Sequence, residues 1–205
     1  MTSTEDSCIL CNKSDTRLCD RCKSIRYCST TCQHADWPTH KLLCAGFSNF
    51  DLTKRPSKEH CRAIFFPVDQ KTPQVIWLHC PWHEDEDEDG EEGPNQYPDI
   101  ELYTGADAFC EIMRIQKASD TIYVCSRDAF LIDGSSRNES VAAITATSSH
   151  PSHDWRGPFL AYGKKGLGID PPDCRDLGMN DFWHITNLFI SYGRELQSVE
   201  VERRL

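Results

Sequence analysis

No apolar run in this 205-residue chain approaches the roughly 20 residues needed to cross a bilayer, which excludes a helical membrane span from the expected architecture. The first seven residues, Met1 to Ser7, are polar and acidic and have neither the basic nor the apolar segment of a secretory leader. The expectation is an intracellular protein, of nucleus or cytoplasm, and Lys54-Arg-Pro-Ser-Lys58 is too short a basic stretch to choose between them. An excess of positive charge is also lacking: the formal net charge is −10, so a broad nucleic-acid-binding face has little to be built from. There are no internal repeats beyond a pair of short cysteine knuckles. Hydrophobic residues make up 39%, enough for a core in only part of the chain.

What is abundant is cysteine. In a reducing compartment twelve cysteines are poorly explained by disulfides, and metal ligation is the better account. Seven lie within the first 44 residues, while Cys61, Cys80, Cys110, Cys125 and Cys174 are scattered singly and read mostly as small buried hydrophobes. Charge is uneven too. Residues 1–45 balance to +1 and residues 46–205 to −11, with eight acids in the run Glu84 to Glu92. Such a block repels itself, so about 84–95 is expected to be a disordered acidic loop.

Four stretches are expected: a disordered tail (1–7), a Cys-rich unit (8–45), a linker (46–60) and an α+β domain (61–205). In the last, Arg62–Pro67 and Gln74–His79 are β-branched and aromatic runs bounded by Pro, and predict a hairpin. Asp99–Tyr103, Thr121–Cys125 and Pro158–Tyr162 predict further strands. Asp181–Tyr192 predicts a helix with Asn180 as N-cap, Phe182, Ile185, Leu188, Phe189 and Tyr192 on one face, and Gly193 at its end. A second helix is expected from Asn138 to about Thr145. The irregular mixture of strands and helices argues against a doubly wound sheet.

The ligand spacing is Cys8-x2-Cys11, Cys19-x2-Cys22, Cys28-x3-Cys32 and His40-x3-Cys44. Four pairs supply eight ligands, enough to close two tetrahedral zinc sites. Each C-x2-C forms a knuckle, and the i, i+4 pairs place both ligands on one face of a helical turn. Ser29 is suited to N-cap a helix carrying Cys32, and Pro38 to open a second helix carrying His40 and Cys44. Four protein ligands leave no open position, so both sites are structural. With so few apolar residues the unit needs the metal to fold, and comparable sites supply roughly 10–16 kcal/mol. Spacing leaves sequential and interleaved pairing both open.

Over its whole length Cys8–Cys44 resembles the MYND-type zinc finger, most closely in Arg26-Tyr-Cys-Ser-Thr-Thr-Cys-Gln-His and Asp36-Trp-Pro-Thr-His-Lys-Leu-Leu-Cys44. The resemblance implies interleaved ligation: Cys8, Cys11, Cys28 and Cys32 on one zinc, and Cys19, Cys22, His40 and Cys44 on the other. The fold expected is thus a small cross-brace finger with two zinc ions, followed by an α+β domain. The family also implies a docking module that binds short Pro-containing peptides in a shallow groove beside the first helix, a mode favoured by the low entropy of such ligands. The family's groove Gln and Trp match Gln33 and Trp37. A third groove position, small and polar in such members, is Asp20 here and alters the expected preference. More loosely, Arg62-Ala-Ile-Phe-Phe-Pro and His153-Asp-Trp-Arg-Gly-Pro resemble small fungal MYND-finger proteins with a C-terminal module of undefined activity.

Some MYND-bearing proteins are lysine methyltransferases with the finger inserted in a SET domain. Only seven residues precede Cys8, and residues 46–205 hold neither the Asn-His pair with its following Pro-Asn nor a strand-borne Gly-x-Gly turn. The expectation is therefore a non-enzymatic adaptor or regulator, within transcriptional co-regulation by resemblance alone. The alternative is an enzyme seated around His150, His153 and Asp154, which could pair a base with its orienting acid. The plainer reading is a polar turn with Asp154 and Arg156 holding the loop and Trp155 in the core. His79-Cys80-Pro-Trp-His83 has metal-binding residue types but predicts a strand end, and Gly163-Lys-Lys-Gly-Leu-Gly168 reads as a turn. With thiolates and two zinc ions counted, the finger carries about −2, so a DNA-binding transcription factor is the least favoured class. Micromolar protein is expected to give no electrophoretic shift of duplex DNA at low salt.

Overall fold

A computed structural model describes residues 6–86, 92–105, 110–116, 120–149, 153–166 and 173–192. Two short strands, β1 (Arg17–Leu18) and β2 (Arg26–Tyr27), pair as an antiparallel ribbon and lead into α1 (Thr30–Asn49). Ser29 caps α1, its hydroxyl accepting from the Cys32 N–H at 3.2 Å. The two helices expected around Ser29 and Pro38 are one continuous helix of 20 residues, with Pro38 inside it. Pro38 has no N–H to donate to the preceding turn, but Cys32 before it and His40 and Cys44 after it each enter a ligand cluster, which clamps the helix on both sides. No helix among the described residues is long and apolar enough to cross a membrane.

The main sheet is antiparallel throughout. It comprises β3 (His60–Phe66), β4 (Gln74–His79), β7 (Cys110–Gln116), β8 (Asp120–Arg127) and β9 (Phe159–Lys165), in the order β4-β3-β9-β8-β7. A two-residue strand, β10 (Cys174–Arg175), also pairs with β9. Alternation along β3 sends Ile64 and Phe66 to one face and Cys61 and Ala63 to the other, and both faces are buried. This is why Thr121–Cys125 and Phe159–Tyr162 read as continuous apolar runs and not as alternating ones. The hairpin expected from Arg62 to His79 forms, with Ala63 opposite Ile76.

One face packs against α1, α3 (Glu139–Thr145) and α4 (Met179–Ser191). Asn138, expected as the first residue of this helix, is instead its N-cap, with Oδ1 accepting from the Val141 N–H at 2.8 Å while its amide donates to the Phe66 and Gly157 carbonyls. On α4 the expected apolar face is buried, but the helix starts earlier and is capped differently. Gly178 stands at the N-cap, not Asn180; buried Asp181 reaches back to accept from the Gly178 N–H at 2.7 Å, and the Met179 N–H donates to Ser24 Oγ at 3.2 Å. Asp181 is also held bidentately by Arg175, at 2.9 and 3.0 Å. The expected terminator Gly193 lies outside the described residues.

Asp99–Tyr103, expected as a strand, instead leads into a short helical turn, α2 (Glu101–Thr104). Pro98 interrupts the chain before it, Asp99 is engaged by His79 at 2.8 Å, and Ile100 and Tyr103, three apart, pack together on the second sheet face. Leu102, which produced the apparent alternation, is 79% exposed. The acidic segment is also different from the disordered loop expected over about 84–95. Its flanks pair as an antiparallel ribbon, β5 (Trp82–Glu86) with β6 (Glu92–Gln96); residues 87–91 lie outside the described residues.

The Cys-rich unit and the sheet share one core. Cys19, Cys22, Ile25, Tyr27, Leu43, Cys44 and Phe47 form a single apolar cluster with Ile64, Phe66, Phe182 and Phe189. Leu43 and Phe47 are almost wholly buried, worth about 1.5–3 kcal/mol each. Gly46 lets α1 approach β4 closely: a Cβ there would meet Leu43 and Val75 at 3.3 Å. The stretch expected as a linker begins as the last turn of α1 and is then tied down, with Phe50 packed on Trp77 at 4.7 Å and Arg55 over the same ring at 4.5 Å. Arg55 also forks onto Asp176 at 3.1 and 2.6 Å, and Asp176 accepts the Arg62 N–H at 2.8 Å.

Burial would raise the Asp176 pKa, but Arg55 and the Arg62 N–H outweigh it and hold the carboxyl below its ordinary range. Its stabilisation is therefore complete at neutral pH and fades as pH falls through and below about 4. Asp176→Asn is expected to cost about 1–2 kcal/mol at neutral pH in denaturant unfolding, with the gap to wild type narrowing in acid.

Candidate metal centre and docking cleft

Each C-x2-C knuckle closes in the same way. The N–H of Asn12 donates to the Cys8 carbonyl and that of Lys23 to the Cys19 carbonyl, both at 2.9 Å. Both residues are left-handed, at φ 58° and 51°. Asn tolerates this region and Lys does so at a cost of about 1 kcal/mol or more, strain that persists where surrounding bonds over-determine it. The knuckles hang from the β1–β2 ribbon and face α1.

The thiols converge in two groups whose ligand atoms all lie within 4.8 Å of one another: Cys8, Cys11, Cys28 and Cys32, and Cys19, Cys22, His40 and Cys44. In the first, Cys11–Cys28, Cys28–Cys32 and Cys11–Cys32 Sγ separations are 3.3, 3.7 and 4.0 Å. In the second, His40 Nε2 is 3.4 Å from Cys19 Sγ and 3.8 Å from Cys22 Sγ, with Cys19–Cys44 at 4.0 Å. Ligands at about 2.3 Å from a tetrahedral zinc stand about 3.8 Å apart, so the donor sets fit two such ions. The combination is the interleaved one, in which a ribbon knuckle and a helix pair meet at each metal. Burial raises the Cys8 thiol, but the N–H groups of Cys28, Leu10 and Cys11 outweigh it and lower it to about 6, toward the thiolate a metal needs.

Two residues that the ligand spacing did not single out complete the second site. His40 Nδ1 lies 3.2 Å from the Tyr27 hydroxyl, and that hydroxyl donates to Asp36 Oδ2 at 2.5 Å. The relay fixes the tautomer that leaves Nε2 free to bind metal. Burial pushes the His40 pKa down to about 4 and that of Asp36 up, in keeping with a neutral imidazole. One turn before His40 on the same helix face, the buried position of Asp36 was the available signal.

Beside the first site lies a cleft of about 500 Å³ between the ribbon and the start of α1. Asp20 and Gln33 line it with Asp15, Arg17, Leu18, Tyr27, Ser29 and Thr30. Trp37 stands one turn beyond Gln33, 42% exposed, with its ring 5.7 Å from that of His40, and is not part of the lining.

Other candidates separate. His150 lies outside the described residues. His153 packs edge-on against Trp155 at 4.8 Å and Tyr192 at 5.1 Å, and Asp154 accepts from Arg156 Nε at 2.7 Å. Trp155 is buried and donates to the Phe189 carbonyl at 3.2 Å, so the Asp154–Arg156 pair and the core position of Trp155 are those of the plainer reading. In His79–His83 the motif splits: His79 turns to Asp99, and His83 lies by Tyr97 at 5.8 Å. Cys80 instead meets Cys61 and Cys174, correcting the reading of these three as isolated core cysteines. Chain spacing carried no trace of it, because the three belong to separate strands or strand ends.

A closed pair of Cys/His sites braced across one ribbon and one helix defines a structural zinc finger. Residues 8–44 match the MYND finger family and form a finger of that kind, a protein-interaction module with two zinc sites. Among curated relatives, ubiquitin carboxyl-terminal hydrolase 19 of Arabidopsis thaliana is 50% identical over 52 residues, 25% of this chain and 8% of that protein. N-lysine methyltransferase SMYD2 of Gallus gallus is 42% identical over 53 residues, 26% and 12% respectively. SET domain and MYND-type zinc finger protein 6 of Schizosaccharomyces pombe is 52% identical over 80 residues, 34% and 15%. The chain thus spans less than a sixth of each of these relatives. No solved structure matches it significantly.

Cys28→Ser and Cys11→Ser are each expected to release the same single zinc, read by elemental analysis as one ion per chain fewer than wild type under the same loading. Tyr27→Phe is expected to weaken only the second site, by roughly 10–100-fold in a competitive chelator titration, leaving the first unchanged.

Proposed function

We propose that the chain is a non-enzymatic adaptor whose finger docks a partner protein through a short Pro-containing segment. The observation that carries this reading is the cleft beside the first zinc site, with Gln33 in its wall and an exposed Trp37 on the adjoining turn. An exposed aromatic beside a preformed groove is the usual anchor of such recognition, since an extended Pro-rich ligand brings little entropy to lose. Asp15 and Asp20 outnumber Arg17 in the lining, and Lys23 stands 3.4 Å from Asp20, so the cleft gives only a weak preference for a basic residue near the proline. The closed zinc sites and the engaged state of Asp154 are in keeping with a scaffold without a reaction of its own. The acidic balance disfavours nucleic acid as the direct partner. A place in transcriptional co-regulation, in nucleus or cytoplasm, extends the proposal by family resemblance.

The test is binding of immobilised Pro-containing peptides, with and without a flanking Arg, by the full chain. Trp37→Ala and Gln33→Ala are each expected to lower affinity at least tenfold with both zinc ions retained. Equal binding by wild type and both variants, or no binding to any peptide, would overturn the reading.

A further inference from the structure

Cys61 is the second residue of β3, Cys80 follows β4, and Cys174 opens β10, yet their Sγ atoms all lie within 4.8 Å of one another on the second face of the sheet. The Cys61–Cys80 separation is 3.5 Å, inside the range of 3.3–4.0 Å found between ligand thiols in the finger. The finger sites thus act as an internal measure of what a thiol cluster spaced for metal looks like in this molecule.

The cluster is also built and not merely crowded. Cys61 and Cys80 are almost wholly buried, while Cys174 is half-buried and reaches the surface. Each is held by its backbone: Cys61 lies opposite Leu78 in the β3–β4 ladder, the Cys80 N–H donates to the Glu59 carbonyl at 2.7 Å, and the Cys174 N–H donates to Oε1 of buried Gln96 at 2.6 Å. Leu78, Leu160, Tyr123 and Tyr162 form the apolar wall around it. Lys164, opposite Cys174 in the β9–β10 ladder, brings a positive charge to this edge of the cluster.

We propose that Cys61, Cys80 and Cys174 form a third zinc site, separate from the finger. Three thiolates and one zinc leave a net charge of −1, which Lys164 partly offsets, and soft thiolate donors select a thiophilic ion over calcium or magnesium. The fourth position falls to water at the surface edge beside Cys174. With three protein ligands against four, this ion is held less tightly than either finger zinc.

The test uses the full chain, reduced, loaded with excess zinc and desalted. Wild type is expected to retain three zinc ions per chain, and Cys174→Ser and Cys61→Ser two each, with the finger intact. Two zinc ions in wild type would overturn the proposal, and a third ion retained in both variants would overturn the ligand assignment. A second measurement on wild type guards against variants that fail to fold. Iodoacetamide labelling read by peptide mass spectrometry is expected to spare Cys174 in loaded protein, and to modify it once a weak chelator has withdrawn the first ion. Equal labelling of Cys174 in the two states would refute the site.

Discussion

His40 and Cys44 sit on one turn of α1 and serve two structures at once. Toward the ribbon they complete the second metal cluster with Cys19 and Cys22. Toward the sheet, Cys44 joins Leu43 and Phe47 in the apolar cluster that also holds Phe66, Phe182 and Phe189. Metal ligation and hydrophobic burial are therefore coupled through a single helix. A metal that closes this site orders α1, and ordered α1 supplies part of the lid over the sheet. The usual view of a structural zinc as the private support of a small module does not describe this chain, because the core the ion organises extends well past the last ligand.

The same helix positions the proposed docking surface. Gln33 lies between Cys32 of the first site and His40 of the second, and Trp37 shares that interval. Both are fixed from two directions by metal clusters, with the Asp36–Tyr27–His40 relay packed behind them. Pre-organisation of this kind reduces the side-chain entropy lost on binding, which is where a small shallow cleft gains affinity.

Much of this was legible in the chain because ligands, caps and apolar runs act over short range. The eight finger ligands stand at local spacings, Ser29 caps a helix a few residues away, a helix was readable from Asn138 to about Thr145, and the Arg62–His79 hairpin is bounded by prolines. The misses have a common cause. Gly178 displaces Asn180 as the start of α4 because Asp181 reaches back and Ser24, 155 residues earlier, receives the Met179 N–H. Cys61, Cys80 and Cys174 looked solitary because β3, β4 and β10 are distant in sequence and adjacent only in the sheet. Asp99–Tyr103 alternates like a strand, but Ile100 and Tyr103 are drawn to one side by the core they share. Contacts distant in sequence bear on each case, although the Asp181–Gly178 bond at the head of α4 is a local one, three residues long.

The hydroxyl of Ser24 at the head of α4 ties the finger to the domain behind it. MYND fingers occur in otherwise dissimilar proteins, as the small matched fractions of the relatives indicate. Here, however, the finger is not an exchangeable cassette. A foreign finger grafted ahead of residue 46 would need a hydrogen-bond acceptor at the Ser24 position and a fitting Leu43 equivalent, and would have to meet Gly46 without a Cβ to spare. Swapping it would therefore change the helix termini and the floor of the neighbouring sheet together, so that specificity and fold in this chain have to be inherited as one unit.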